Sequence, residues 1–190
     1  AGFRPDYATI AYTQILRKLF PATPVLIGGI EASMRRLMHY DYWKEKLEPS
    51  LLISSGADLL IYGMAERTVT MLARRLLAGE NFREIHDLPQ SAYTVSSATT
   101  LPPFPGATDK ALRPCNEALA SKKIYAENFV LFEKTSNSMK AVRLTEQCGD
   151  VTVVVNPPLP PATVAETDAV YELPFNYAPH PRYENKGPIP

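Results

Sequence analysis

Short apolar runs that end in glycine alternate with helix-like patterns in the first half of this chain. Residues 25–27 and 59–62 are apolar throughout, which is typical of strands that are buried on both faces. Glycine ends both runs, at positions 28–29 and at position 63, where it permits a tight turn and the close approach of a ligand or another backbone. Helical apolar spacing follows each glycine, so the pattern predicts two strand–glycine–helix units.

Three amphipathic helices are predicted around these strands. The first begins near Pro5 and ends before Phe20, and the second spans about 31–43. The third begins at about Glu66 and ends before Gly79, a residue type that is frequent at helix C-termini. Because no strand precedes the first helix, we expect the sheet to be truncated on that side. The predicted buried face of the first helix comprises Ala8, Ala11, Tyr12, Ile15 and Leu19.

Two strand–glycine–helix units joined by a helix predict a parallel sheet with right-handed crossovers. The predicted fold class is therefore α/β, with a truncated open parallel sheet flanked by helices in a Rossmann-like arrangement. A short alternating run at 92–95 is a candidate third strand. Ligands of open α/β sheets bind beyond the carboxyl ends of the strands. Gly28 and Gly29 are equally compatible with a packing turn alone, because two glycines are a weaker signal than a full dinucleotide fingerprint.

The second half of the chain is richer in proline and predicts loops, one long helix and a hairpin. Residues 99–114 are predicted as loop, residues 114–134 as the helix and residues 142–155 as the β-hairpin. Thr163 and Glu166 have the spacing of a capping box at the start of a short helix. The predicted division is a partial Rossmann-like α/β domain over 1–98, a helix and hairpin appendage over 99–170, and a linker over 171–190.

Composition and charge argue against several classes of protein. The 190 residues carry 20 basic and 20 acidic side chains, so the chain has no net charge to attract nucleic acid or an anionic membrane surface. No apolar run approaches the ~20 residues that a membrane-spanning helix needs. We therefore expect neither a nucleic-acid nor a membrane partner.

The cysteines and histidines show no motif of a metal or redox site. Cys115 and Cys148 are far apart and form no Cys-x-x-Cys motif, so we expect neither a metal site nor a redox pair, and a reducing cytoplasm as the location. The spacing of His39, His86 and His180 does not match that of metal ligands, and we expect structural or surface roles for them.

Several ordered segments of this sequence resemble one protein family. Gly-Gly-Ile-Glu-Ala-Ser-Met-Arg-Arg at 28–36, followed by His-Tyr-Asp-Tyr-Trp at 39–43, resembles the YgiQ family of radical S-adenosylmethionine proteins. Further similar segments are Ala-Asp-Leu-Leu-Ile-Tyr-Gly-Met-Ala-Glu at 57–66, Val-Asn-Pro-Pro at 155–158, Tyr-Glu-Leu-Pro-Phe at 171–175 and His-Pro at 180–181. More distantly, the two glycine turns are similar to those of the cobalamin-binding-type domain that precedes many radical-SAM cores.

The resemblance implies a region that lies before a catalytic barrel. In that family a [4Fe-4S] cluster and S-adenosylmethionine serve the barrel, and the Cys-x-x-x-Cys-x-x-Cys motif that holds the cluster follows the equivalent of Pro190. This sequence does not contain that motif. The resemblance also implies that the first strands and an acidic–histidine loop come before Ala1. The cobalamin-coordinating histidine loop of the wider group is not located in this sequence, so cobalamin binding stays open.

Candidate ligand-binding residues lie near the carboxyl ends of the two predicted strands. Glycines there would admit a ligand, and arginines could pair with an anionic group. As structural alternatives, the acidic residues suit helix starts and the arginines suit solvated or ion-paired positions on a helix. The candidates are Gly28, Gly29, Glu31, Arg35, Arg36, Gly63, Met64 and Glu66.

Three functions fit this pattern. The first is a non-catalytic accessory region of a radical-SAM enzyme, which covers or positions an unknown substrate at the barrel of the same polypeptide. The second is a module that binds cobalamin or a phosphate-bearing ligand at the glycine turns. The third is an interaction scaffold whose proline-rich tail wraps around a neighbouring protein.

Overall fold

The computed structural model describes residues 5–138, 140–178 and 180–183, which form two compact units divided between Leu159 and Pro160. The end of the predicted linker, from position 184 onwards, lies outside the described residues. In chain order the first unit contains α1 (Ala8–Leu19), β1 (Leu26–Ile27), α2 (Gly29–Met34), β2 (His39–Asp41), β3 (Lys46–Glu48), α3 (Leu51–Ser55), β4 (Leu59–Ile61), α4 (Glu66–Leu77), a 3-10 turn (Phe82–Glu84), β5 (Ser91–Ser96), β6 (Thr108–Ala111), α5 (Cys115–Ala120), α6 (Lys122–Ser136), β7 (Val142–Cys148) and β8 (Val151–Val155).

Six strands of the first unit form one open sheet in the order β1-β4-β5-β8-β7-β6. The pairs β1·β4 and β6·β7 are parallel, and the three pairs between them are antiparallel. Helices flank this sheet, so the predicted class, an open α/β fold, is confirmed; the predicted parallel pairing holds for β1·β4, whereas the sheet as a whole is mixed. The predicted hairpin is also confirmed, and its strand β8 pairs with β5 in the same sheet.

The two predicted glycine-ended strands lie side by side. Leu26 is opposite Leu59 and Ile27 is opposite Leu60 in the parallel pair β1·β4. Parallel strands end at the same edge of a sheet, so the glycines that follow β1 and β4 are neighbours. β1 is an edge strand of only two residues, and Leu26 is 40% exposed, so the expectation of burial on both faces is wrong for this strand.

Apolar side chains cover both faces of the central strands. Leu60 of β4 packs into a cluster with Leu51 and Leu52 of α3, which also receives side chains from α6. Its neighbour Ile61 points to the opposite face, where Leu72 of α4 packs. Complete burial of side chains of this size contributes about 1.5–3 kcal/mol each to stability. The alternation along β4 thus places the sheet between two helical layers.

The second predicted helix, over about 31–43, is wrong beyond Met34. The chain leaves α2 there and forms a separate antiparallel pair, β2·β3. The carboxylate of Asp41 accepts the backbone N–H groups of Trp43 and Lys44, which closes the turn between these strands. A side-chain acceptor for turn amides competes with helical hydrogen bonding, so the helix that the apolar spacing predicts here does not form.

Three further expectations are corrected. Thr13 is the buried residue of α1, and the predicted apolar face is largely exposed, with Tyr12, Ile15 and Leu19 at 50% or more. The predicted helix over 114–134 breaks at Ser121, whose backbone is extended and whose hydroxyl oxygen accepts the N–H of Ile124 at the start of α6. The predicted loop over 99–114 contains β6, which pairs with β7.

In the part of the second unit that the structure describes, there is one helix and one short turn. The helix is α7 (Val164–Tyr171), and a 3-10 turn covers Pro181–Tyr183. The predicted capping box is confirmed, because the hydroxyl oxygen of Thr163 accepts the N–H of Glu166 and the carboxylate of Glu166 accepts the N–H of Thr163.

Substitution of Asp58 is expected to destabilise the sheet edge that lies opposite the glycine turns. Asp58 Oδ2 accepts the N–H of Val25 at 2.7 Å and pairs with Arg17 at 2.5 Å, which ties β4 to β1 and α1. We expect Asp58→Ala to lower the free energy of unfolding by about 2 kcal/mol, because Val25 loses its acceptor and Arg17 loses its counterion. Urea denaturation at pH 7 measures the change. The exposed Asp150→Ala is the control, and equal effects of both variants would contradict this role.

Candidate functional site

The hydroxyl group of Ser33 connects the two glycine turns at the carboxyl edge of β1 and β4. Ser33 Oγ donates to the carbonyl of Gly29 at 2.7 Å and accepts the N–H of Gly63 at 3.0 Å. A Cβ at Gly28 would lie 3.2 Å from the carbonyl oxygen of Ile61, so glycine permits this close approach of the strands. Gly63 has φ +68°, a conformation that glycine adopts without strain. Gly28, Gly29 and Gly63 are therefore brought together, as predicted.

Gln90 holds the backbone that follows β4, and sequence reasoning missed it. Its buried side chain donates from Nε2 to the carbonyls of Tyr62, at 2.7 Å, and Met64, at 2.5 Å. Its own N–H donates to the carbonyl of Pro157 at 2.7 Å. Gln90 has φ +58°, a costly conformation for a residue with a side chain, which persists where surrounding contacts fix it. Nothing in the local sequence marks a glutamine for this conformation.

Asn156 fixes the same edge from β8. Its Nδ2 donates to the carbonyls of His86, at 2.9 Å, and Leu88, at 2.8 Å, and its own carbonyl accepts the hydroxyl of Tyr62 at 2.6 Å. Its Oδ1 atom is buried without a hydrogen-bond partner among the described residues. The available sequence signal was the Asn-Pro-Pro segment at 156–158, which ends β8.

The acidic candidate Glu31 and the basic candidate Arg35 pair with each other. Arg35 Nη1 lies 3.2 Å from Glu31 Oε1, and Thr9 Oγ1 donates to Glu31 Oε2 at 2.5 Å. Arg35 also lies over the ring of Tyr7, 6.0 Å from its centroid. These contacts join α2 to α1 and its preceding turn. The remaining acidic candidate, Glu66, is exposed at the first position of α4.

Arg36 is sandwiched between two aromatic rings. Its guanidinium carbon lies 4.4 Å from the ring centroid of Tyr62 and 4.5 Å from that of Phe132. Its Nη atoms donate to the carbonyl of Ser33 and the hydroxyl of Ser136, and burial lowers its pKa. Among the described residues no carboxylate forms an ion pair with it. Arg36 thus packs α2 against α6, and its cation–π contacts offset part of the cost of burying the charge.

Large apolar side chains are exposed next to the glycine turns. Ile30 and Met34 lie one helical turn apart on α2 and are 81% and 75% exposed. Met64, which follows Gly63, is 72% exposed. Phe129 of α6 is 50% exposed and lines a cavity of about 60 Å³ together with Met34. We call Ile30, Met34, Met64 and Phe129 the apolar face.

The structure pairs the two cysteines, although they are far apart in the sequence and form no Cys-x-x-Cys motif. Cys115 at the start of α5 and Cys148 at the end of β7 form a disulfide, with Cα atoms 4.9 Å apart. A separation of 33 residues conceals this pair in the sequence, because the packing of α5 against β7 creates it. Among the described residues, one group of side chains that can bind metal has its ligand atoms close together. It consists of the two cysteine sulfurs and a carboxylate oxygen of Glu146, which lie within 4.8 Å of one another. The sulfurs are bonded to each other and are not free thiolate ligands.

Glu146 is a buried acid beside the disulfide. Its side chain is 2% exposed, and its Oε2 accepts the N–H of Met38 at 2.7 Å. Desolvation raises the pKa of this carboxyl group to about 7, and the hydrogen bond from Met38 only partly opposes the shift. The carboxyl group is therefore poised to exchange a proton near neutral pH.

A separate cavity lies at the other edge of the sheet, away from the glycine turns. It has a volume of about 410 Å³ and is lined by Asp58, Arg83 and His86, near the amino ends of β4 and β8. His86 stacks on Tyr93 with ring centroids 4.3 Å apart, which occupies one face of the imidazole. This cavity is separate from the glycine turns and contains no predicted site residue.

The site thus belongs to a helix-flanked open-sheet domain with a rigid carboxyl edge and an exposed apolar face. A model of the family described as Radical SAM N-terminal matches residues 1–190. The chain is 50% identical over 186 residues to a UPF0313 protein from Porphyromonas gingivalis, which covers 98% of this chain and 29% of that protein. It is 44% identical over 194 residues to a UPF0313 protein from Bacteroides thetaiotaomicron, a match that covers 96% of this chain and 31% of that protein. It is also 44% identical over 189 residues to a UPF0313 protein from Geobacter sulfurreducens, a match that covers 100% of this chain and 30% of that protein.

The chain belongs to the Radical SAM N-terminal family. This confirms the resemblance on which the sequence analysis relied. The chain spans 29–31% of the length of these three relatives. No solved structure matches it. Within the described part of the chain, no helix combines the length and apolarity needed to span a membrane.

Two substitutions at position 90 are expected to separate strain from hydrogen bonding. Gln90→Ala and Gln90→Gly both remove the bonds to Tyr62 and Met64, which should lower the free energy of unfolding by about 2 kcal/mol in the alanine variant. Glycine tolerates the positive φ, so the free energy of unfolding of Gln90→Gly should be about 1 kcal/mol higher than that of Gln90→Ala. Urea denaturation of both variants provides the comparison. Equal stability of the two variants would mean that position 90 is not held in the left-handed conformation.

The raised pKa of Glu146 is expected to make stability depend on pH. The unfolded state ionises near pH 4.5 and the folded state near pH 7, so stability from the neutral carboxyl is lost as pH rises across this window. Between pH 5 and pH 8 the wild-type chain should lose on the order of 2 kcal/mol relative to Glu146→Gln. Urea denaturation without reductant at several pH values measures the difference. Titration of His39 and His86 is common to both chains and cancels in the comparison. Parallel profiles of unfolding free energy against pH for wild type and Glu146→Gln would refute the raised pKa of Glu146.

Proposed function

We propose that this chain is the N-terminal accessory domain of a radical S-adenosylmethionine enzyme, in which the apolar face covers or positions substrate at the mouth of the catalytic barrel. The barrel is the radical-SAM core of the same polypeptide. The domain performs no chemistry of its own and contributes orientation and the exclusion of water. The observation that carries the proposal is the exposure of the apolar face beside the carboxyl edge of the sheet.

Exposed side chains of this size favour a covering partner. Ile30, Met34 and Met64 are each more than 70% exposed, and full burial of such side chains is worth about 1.5–3 kcal/mol each. Contiguous exposed apolar surface is characteristic of interaction and ligand-binding sites. The relatives are more than three times as long as this chain, so their remaining length is sufficient for a further domain that covers this face.

The rigid backbone beneath the apolar face also supports a positioning role. Ser33 fixes the two glycine turns to each other, and Gln90 fixes the backbone of Met64. Side chains that project from a fixed backbone present the same surface to each substrate molecule, which lowers the entropic cost of orientation.

The residues of this chain do not fit a [4Fe-4S] cluster. Such a cluster in this enzyme class takes three cysteine thiolates in close sequence, and this chain has two cysteines that are bonded to each other. The cluster and S-adenosylmethionine of the parent enzyme therefore belong to its core.

Binding of phosphate or cobalamin at the glycine turns has less support. Glu31 and Glu66 place negative charge at the starts of α2 and α4, which disfavours an anion there. His39 contacts the carbonyl of Leu37, and His86 stacks on Tyr93 near the other edge of the sheet, so neither is positioned at the turns as a cobalt ligand.

Hydrogen exchange and activity together test the accessory role. In the longer protein that contains this domain, the backbone amides of residues 30–34 and 64–65 should exchange at least tenfold more slowly than in the 190-residue chain. Met34→Glu and Met64→Glu should reduce this protection and suppress product formation, while S-adenosylmethionine cleavage by the core is retained.

Leu77→Glu is the matched control for these variants. Leu77 is 88% exposed at the far end of α4, so a charge there should change neither protection nor product formation. Equal exchange of residues 30–34 in the long and short proteins would overturn the placement of the apolar face against the core. If Leu77→Glu had effects as large as those of Met34→Glu, the effects would not be specific to the apolar face.

A further inference from the structure

The disulfide between Cys115 and Cys148 lies in a chemical environment that the proposed function does not use. Cys115 is 5% exposed and packs with Met38 and Ala118, whereas Cys148 is half-buried beside the hairpin turn. The carboxyl group of Glu146 lies within 4.8 Å of both sulfurs. Cys148 is thus the more exposed of the two cysteines, Cys115 is buried, and a buried acid lies next to both.

We propose that Cys115, Cys148 and Glu146 form a thiol–disulfide exchange site that takes dithiol reductants and the corresponding disulfide oxidants. Cys148 is the sulfur that exchanges with the external partner, and Cys115 is the resolving sulfur. The carboxyl group of Glu146 transfers the proton to and from Cys115. This inference is independent of the proposed function.

Reduction of the site by a dithiol balances as a two-electron, two-proton exchange. A thiolate of the reductant attacks Cys148 Sγ, the bond between Cys148 and Cys115 breaks, and Cys115 leaves with the electron pair. Glu146 gives its proton to the Cys115 thiolate, and solvent later returns a proton to Glu146. The second thiol of the reductant then displaces Cys148, which takes up the other proton, and the reductant leaves as its own disulfide. Oxidation follows the reverse course.

Burial explains why the enclosed sulfur needs a proton partner. A thiolate at Cys115 would be a charge almost without solvent, and burial raises the free energy of such an anion. A carboxyl group with a pKa of about 7 holds a proton in a large fraction of molecules at neutral pH and can also accept one. The N–H of Met38 holds Oε2, so the carboxyl group keeps its place beside the sulfurs.

Among the residues that the structure describes, two other side chains that can titrate line the cavity beside Glu146. Tyr125 of α6 and His39 of β2 face this cavity of about 60 Å³, and the two cysteines ionise only when the disulfide is reduced. Burial lowers the pKa of His39 and raises that of Tyr125, so both are neutral at pH 7. The cavity has room for one or two water molecules, which is sufficient to pass a proton from Glu146 to solvent.

The first test uses the unaltered chain in buffers of reduced and oxidised dithiothreitol, with thiols trapped by a maleimide and counted by mass spectrometry. We expect two trapped thiols under reducing conditions and none under oxidising conditions. Oxidised chain should become fully reduced, and reduced chain fully oxidised, when the buffer is exchanged. Free cysteines in oxidised dithiothreitol would overturn the proposal. Stoichiometric zinc in chain purified under reducing conditions, with both thiols protected from the maleimide, would also overturn it in favour of a metal site.

The second test compares the two cysteines with glutathione disulfide as the probe. Cys115→Ser leaves the accessible Cys148 and should form the mixed disulfide at least tenfold faster than Cys148→Ser, which leaves the enclosed Cys115. Equal rates would contradict the assignment of Cys148 as the exchanging sulfur.

The third test measures the role of Glu146 through the pH profile of reduction by dithiothreitol. With the rate corrected for the thiolate fraction of dithiothreitol, the wild-type chain should show an inflection near pH 7. Glu146→Gln should abolish the inflection and slow reduction at pH 7 about tenfold. Glu117→Gln is the control, because Glu117 lies on the same helix as Cys115 and pairs with Arg113 on the surface. An inflection that persists in Glu146→Gln would overturn the role of this residue.

Discussion

The parallel pairing of β1 with β4 is the constraint on which the rest of the candidate site depends. Both strands are short, so their register fixes the position of the glycine turns beyond them. Gly28 then passes so close to the carbonyl of Ile61 that a side chain would force the strands apart. The hydroxyl of Ser33 completes the junction by bonding to both turns, which sets the direction in which α2 leaves the sheet.

A network of buried polar groups stabilises the same edge from the other side. Gln90 and Asn156 satisfy backbone groups around β4 and β5 that no strand partner reaches. Unsatisfied buried carbonyls are costly, so these side chains convert irregular backbone into a fixed platform. The strained conformation of Gln90 is a local cost of this arrangement. The edge is rigid in its polar interior and apolar on its exposed surface, a combination suited to holding another domain or a substrate.

The disulfide region lies in the same unit, and one hydrogen bond joins it to the segment that follows α2. The carboxyl group of Glu146 accepts the N–H of Met38, which follows α2 by four residues. The backbone of this segment is therefore hydrogen-bonded to a carboxyl group whose pKa burial raises to about 7. Packing of α5 and β7 brings the cysteines together, while the hairpin β7–β8 shares the central sheet with β4 through β5.

The elements that could be predicted from the amino-acid sequence alone are those with local signals. Apolar runs ended by glycine gave β1 and β4 with their turns, the spacing of Thr163 and Glu166 gave the start of α7, and alternation over 142–155 gave the hairpin. Motif order along the chain also gave the family, which the match over 1–190 confirms. These features depend on backbone preferences and on side chains a few residues apart, so one stretch of sequence contains all the information they need.

Contacts between residues far apart in the sequence became visible in the folded chain. The break of the predicted helix after Met34 depends on the turn that Asp41 closes, and the left-handed conformation of Gln90 depends on contacts with β4 and the segment after β8. The pairing of Cys115 with Cys148 and the raised pKa of Glu146 likewise follow from packing across the sheet. These properties depend on burial and on contacts between residues far apart in the sequence. The spacing of neighbouring residues therefore does not predict them.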